Sequence, residues 1–175
     1  MQQPSIILCG FMGCGKTTVG TLLAKKTNRE FLDLDAYIEQ QHCMRVSDIF
    51  ETQGEQAFRQ METDAVRALS GKGGLVLATG GGTVLREENT ALLRQNGIIV
   101  LLDVPLHQLE QRLAGATDRP LLQRPDRTQF MAHLHAERMP KYQMAADIRI
   151  DACHAPEEVA AHILQEIERF REKRA

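Results

Sequence analysis

No stretch of this 175-residue chain stays apolar long enough to cross a bilayer, and no basic cluster precedes an apolar segment near its first residues. A soluble, unsecreted, cytoplasmic protein with no membrane partner is expected. A dominant charge is also missing. Twenty-one basic residues against 23 acidic ones leave a formal charge of −2, which argues against a nucleic-acid surface. The basic tail from Arg169 to Arg174 is a local exception and reads as the solvated end of a helix. Cysteine is scarce. Cys9, Cys14, Cys43 and Cys153 contain no C-x-x-C pair, which suggests neither a zinc site nor a disulfide framework and fits reduced thiols. His133 and His135 would point about 200° apart on a helix, so they form no metal pair and read as solvated. Repeats, low-complexity tracts and interdomain linkers are absent as well, and 175 residues suit one domain with its own core.

Short β-rich runs are present at Ser5 to Cys9, Phe31 to Leu34, Leu75 to Thr79, Ile98 to Leu102 and Ile148 to Asp151, alternating with helical patterns. Five strands with helical crossovers predict a parallel α/β sheet. A helix from about Lys16 gathers Val19, Leu22 and Leu23 on one face, and Glu157 to Phe170 does the same with Val159, Ile163, Ile167 and Phe170. The stretch between the second and third strands is longer than one crossover needs. It holds a helical segment near Ala36 to Cys43, a short piece from Val46 and a longer helix from about Gly54 to Leu69. This surplus predicts a helical insertion over about residues 35–62 that holds a second substrate. Residues 115–127, with two prolines and three arginines after a helix from Leu106, read as a lid. A further helix is expected to end before Pro140.

The chemistry begins at Gly10 to Thr17, which reads Gly-Phe-Met-Gly-Cys-Gly-Lys-Thr, a G-x-x-x-x-G-K-[ST] phosphate loop between the first strand and the first helix. It predicts binding of a nucleoside triphosphate. Glycines at 10, 13 and 15 let successive N–H groups, including that of Cys14, converge on the phosphates beside the positive helix end. Lys16 adds a mobile cation, and Thr17 offers a hydroxyl to the accompanying Mg²⁺. Thr18 belongs to the same nucleotide-binding turn, with its side chain pointing elsewhere. At that electropositive helix end the Cys14 thiol is expected to react fast with alkylating reagents.

Asp33 and Asp35 close the second strand, and residues two apart in an extended chain face the same way. One can hold magnesium while the other accepts the proton of a substrate hydroxyl; alternatively, Asp35 simply caps the helix that follows. The third strand ends in Gly80-Gly81-Gly82 without the acidic residue that often assists magnesium there. This triplet either exposes backbone N–H groups to a ligand or is a plain turn.

In combination, Gly10 to Thr17, Asp33-Leu34-Asp35, Phe58-Arg59 with Glu62, Gly80 to Gly82, Arg119-Pro120-Leu121-Leu122 and Arg138 through Tyr142 resemble the shikimate kinases from about Ser5 to Ile167. The resemblance implies a P-loop nucleoside-kinase-like three-layer fold, with a five-stranded parallel sheet in the order 2-3-1-4-5 and helices on both faces. It implies transfer of a phosphoryl group from ATP to the 3-hydroxyl of shikimate, in the pathway to chorismate and aromatic amino acids; a monomer is expected, although nothing in the sequence reveals the oligomeric state. It makes Lys16, Asp35 and Arg119 catalytic, Thr17 and Asp33 the magnesium residues, and Arg112 a neighbour of adenine. Asp35, Arg59, Gly81, Gly82 and Arg138 would surround shikimate, whose carboxylate suits forked guanidinium groups. Without the resemblance, Arg59 could equally be a surface ion-pair partner of Glu55, and Arg138 could merely decorate its helix. From Ala152 to Pro156, where many relatives offer adenine an arginine, this chain carries Cys153 and His154. Two other readings share parts of the pattern: a small P-loop kinase resembling gluconate kinases, and a nucleotide-dependent module without catalysis.

Overall fold

A computed structural model describes residues 3–115 and 124–174. The five strands are β1 (Ser5–Cys9), β2 (Glu30–Asp33), β3 (Leu75–Ala78), β4 (Gly97–Asp103) and β5 (Ile148–Asp151). All pairings are parallel, in the order β2-β3-β1-β4-β5. Every residue of β1 and β3 is buried, as is the middle of β4. Continuous burial of this kind requires cover on both faces, and that explains why these strands read as unbroken apolar runs.

The helices supply the cover. They are α1 (Lys16–Thr27), α2 (Leu34–His42), α3 (Val46–Ser70), α4 (Glu87–Gln95), α5 (Leu106–Leu113), α6 (Arg127–Ala145) and α7 (Pro156–Glu172), with a 3₁₀ turn at Thr83–Leu85. Pro156 starts α7, where its missing N–H costs nothing, and Glu157 and Glu158 lie in the first turn, where carboxylates favour the helix dipole. One apolar cluster joins the strands to Val19 and Leu23 of α1, Val66 and Leu69 of α3, and Ile163 and Ile167 of α7. No helix among the described residues is long and apolar enough to cross a membrane.

Within α3 the backbone breaks at Gly54, where φ is 83° and ψ 169°, so it consists of pieces 46–53 and 55–70. Other expectations need correction. α2 begins at Leu34, so Asp35 occupies its first turn and the alternation of an extended chain does not relate it to Asp33. α6 does not stop before Pro140 but runs through it to Ala145. Pro140 has no N–H for the carbonyl one turn back, but packing of the buried Arg138, Tyr142 and Ala145 holds the helix together. His135 is not solvated: its ring lies edge-on to Phe11, with centroids 5.4 Å apart. Residues 116–123, which include most of the expected lid and Arg119, lie outside the described residues. At the ends of that segment, Arg127 donates to the Leu113 carbonyl, and Arg124 pairs with Asp126 and lies over the Phe130 ring.

Candidate active site

The phosphate loop leaves the carboxyl end of β1, the end at which parallel α/β sheets bind ligands. Gly10, Gly13 and Gly15 take φ values of 139°, 78° and 99°, which side chains of L-residues rarely adopt. A Cβ at Gly10 would also lie 2.7 Å from the Leu102 carbonyl oxygen. Lys16 Nζ arches over the loop and donates to the Gly10 and Phe11 carbonyls at 2.9 and 3.1 Å. Cys14 turns inward: its side chain is 2% exposed, packed against Gly10, and its N–H donates to the Phe11 carbonyl at 3.2 Å. Reagent access, not thiol chemistry alone, therefore limits its reactivity, contrary to the sequence-based expectation. Thr17 and Thr18 are exposed on the first turn of α1.

Asp33 carries out two tasks that the sequence divides between two aspartates. Its Oδ1 accepts hydrogen bonds from the N–H groups of Asp35 and Ala36 at 3.1 and 3.2 Å, which makes Asp33, and not Asp35, the cap of α2. Its Oδ2 accepts from the Thr17 hydroxyl at 3.2 Å. These hard oxygens suit a magnesium ion that takes its remaining ligands from water and phosphate. No group of three or more His, Cys, Asp or Glu side chains assembles a larger cation site among the described residues.

Across the cleft, the glycine run after β3 is surrounded by side chains that use its lack of Cβ atoms. A Cβ on Gly80 would lie 2.7 Å from Asp35 Oδ1 and 2.8 Å from Glu62 Oε1, and one on Gly82 would lie 2.2 Å from Arg59 Nη1. Arg59 and Arg138, far apart in sequence, thus flank the same glycines. Arg59 pairs with Glu62 at 2.6 Å and Glu55 at 3.0 Å, its guanidinium 5.5 Å from the Phe58 ring centroid. Burial pushes its pKa down, but the two carboxylates, Glu62 foremost, outweigh this and hold it above the ordinary value. The surface pair with Glu55 is real, yet the shorter contact is to a fully buried acid. Arg138 is buried and donates to the Gly81 carbonyl at 3.4 Å.

Two residues without an assigned role complete this side. Glu62, 0% exposed, also accepts from the Thr83 hydroxyl at 2.6 Å. A carboxylate within the buried stripe of Phe58, Ala65, Val66 and Leu69 was a signal in the sequence, because such an acid needs a partner. Tyr142 donates to the Gly81 carbonyl at 2.5 Å. On the nucleotide side, Arg112 donates to the Gly13 carbonyl at 3.4 Å and the Ala152 carbonyl at 3.1 Å, which links the phosphate loop to the segment after β5.

The sequence profile of shikimate kinase matches residues 12–168. A shikimate kinase of Psychrobacter arcticus is 40% identical over 97% of this chain and 91% of its own length. A shikimate kinase from Acinetobacter baumannii, solved in complex with shikimate, superposes with a TM-score of 0.89 at 40% identity, covering 94% of this chain and 93% of that one. A gluconokinase from Sinorhizobium meliloti aligns at a TM-score of 0.64 over 99% of this chain and 97% of its own, but at 17% identity it shares the fold alone. With a phosphate loop facing a glycine run flanked by two arginines, and a profile that spans most of the sequence, the chain belongs to the shikimate kinase family.

Proposed function

We propose that this site transfers the γ-phosphoryl group of ATP to the 3-hydroxyl of shikimate, a step toward chorismate and the aromatic amino acids. The observation that carries the reading is that Arg59 and Arg138 converge on Gly80 to Gly82, with Asp35 beside Gly80. This is an anion grip next to a carboxylate, facing the phosphate loop. The two guanidinium groups hold the substrate carboxylate, with the Gly81 and Gly82 backbone alongside. Asp35 accepts the hydrogen bond of the reacting hydroxyl and takes up its proton as the oxygen bonds to phosphorus and the bond to ADP breaks.

On the nucleotide side, the loop and first helical turn from Gly13 through Thr18 cradle the phosphates, the Cys14 N–H being held instead by the Phe11 carbonyl, and Lys16 swings from its loop carbonyls to the transferring group. Thr17 and Asp33 would hold Mg²⁺, which when bound neutralises phosphate charge. Arg112 borders the adenine site, the α2 region with the first half of α3 forms the acceptor-binding insertion, and the lid brings Arg119 over the phosphoryl group. The free thiols and near-balanced charge support a cytoplasmic enzyme of small molecules that binds no nucleic acid. The test is ADP release by the purified chain with MgATP and either shikimate or gluconate. Release with shikimate alone is expected. Release with gluconate, or with neither acid, overturns the reading.

A further inference from the structure

Arg138 and Tyr142 lie four residues apart on α6, so their side chains share one helical face. Both reach a single acceptor, the Gly81 carbonyl, the tyrosine hydroxyl at 2.5 Å and the guanidinium at 3.4 Å. Tyr142 is fully buried, and its phenol is pushed up to about 12, chiefly by that burial, so it stays a proton donor at any working pH. Gly81 and Gly82 have no side chains with which to fix their own peptide. Because that peptide is planar and trans, anchoring the Gly81 carbonyl on the α6 side turns the Gly82 N–H to the opposite side. Gly82 is also where Arg59 packs.

We propose that Tyr142 is a positioning residue for the acceptor pocket: its hydroxyl pins the Gly81–Gly82 peptide and thereby orients both the Gly82 N–H and the Arg138 guanidinium that share the carboxylate-bearing substrate. This rests on reading the site as the shikimate pocket. Tyr142 touches no reacting atom; it acts through the peptide it holds. Removing its oxygen leaves the ring in the core and a buried carbonyl with only the longer bond from Arg138.

Titration calorimetry of the full chain with shikimate, and separately with ADP, tests this on the parent, Tyr142→Phe, Arg138→Lys and the double variant. Tyr142→Phe is expected to weaken shikimate binding about tenfold, the size of one buried hydrogen bond, and to leave ADP affinity within about twofold. The tyrosine effect should shrink in the Arg138→Lys background, because part of it is exerted by orienting the Arg138 guanidinium. Unchanged shikimate affinity in Tyr142→Phe, a parallel loss of ADP binding, or an equal loss in both backgrounds each overturns the positioning role. A parent that binds ADP but no shikimate overturns the proposed function instead.

Discussion

At Asp33 one carboxylate serves a helix and a hydroxyl together, which makes its substitution informative. Asn caps helices about as well as Asp, so Asp33→Asn should change stability by under about 1 kcal/mol. Loss of the charge beside Thr17 should nonetheless raise the magnesium needed for half-maximal turnover, with shikimate affinity in the absence of nucleotide preserved. Asp35→Asn should do the reverse, weakening shikimate binding and cutting kcat by about 10²–10⁴. Turnover against magnesium and calorimetry without nucleotide, run on both variants, check the division; identical patterns would refute it. Arg119→Ala should lower kcat by roughly 10³–10⁵ and leave ADP affinity nearly intact, as expected of a group engaged mainly in the transition state. Equilibrium titration with ADP beside steady-state rates decides that.

Residue identities at the site were legible because glycines, a lysine and paired aspartates have few other reasons to occur at such spacings. Their mutual geometry was not. A boundary shift at Leu34 moved the capping role from Asp35 to Asp33, and the inward turn of Cys14 depends on contact with Gly10, which no local pattern records.

Among the elements, α3 shows what one glycine can do. The break at Gly54 lets piece 46–53 fold back so that Phe50 meets Phe58, with ring centroids 4.9 Å apart, and borders Arg59. A Cβ at Gly54 would meet nothing within 4 Å, so Gly54→Ala carries only a backbone penalty, about 1–3 kcal/mol for an L-residue in this glycine-only region of positive φ and extended ψ. Urea unfolding should show that loss, and shikimate affinity should fall with it, because realigning the short piece moves Phe50 away from Arg59. A full stability loss with unchanged affinity would separate the kink from the pocket. The break was visible in sequence as two helical periods meeting at a glycine. The passage of α6 through Pro140 was not, because a proline reads locally as a stop and the packing that overrides it is tertiary.

For the whole molecule, stability should depend on alkaline pH through two buried groups. Burial, helped by the nearby Cys14, raises the Cys9 thiol from 9.0 to about 12, and burial raises the Tyr142 phenol from 10.0 to about 12. Each folded value lies above its unfolded one, so the stabilisation is full below the unfolded value and is lost as pH climbs toward about 12. Each group contributes a slope of roughly 1 kcal/mol per pH unit in its window. Chemical denaturation from pH 8 to 11 should therefore steepen above pH 9 in the parent and be flatter in a Cys9→Ala, Tyr142→Phe double variant. Equal slopes would mean that neither group is buried in its neutral form. At this scale the alternation of elements told of a parallel sheet, but the order of its strands came only from resemblance, since neighbours so distant in sequence leave no local trace.

That order sets a schedule for synthesis. β1 leaves the ribosome before the other four strands, yet it lies at the centre of the sheet: Ile6 pairs with Val76 on one side and with Ile98 on the other. At about 5–20 residues per second, on the order of ten seconds pass between the emergence of β1 and that of its second neighbour. Both edges of this largely apolar strand stand open until β3 arrives and one remains open until β4 does, and the lysine and threonine of the phosphate loop have no fixed place until β4 anchors it. The nucleotide site is thus encoded early and assembled late, and a nascent chain halted before β4 should aggregate rather than bind ADP.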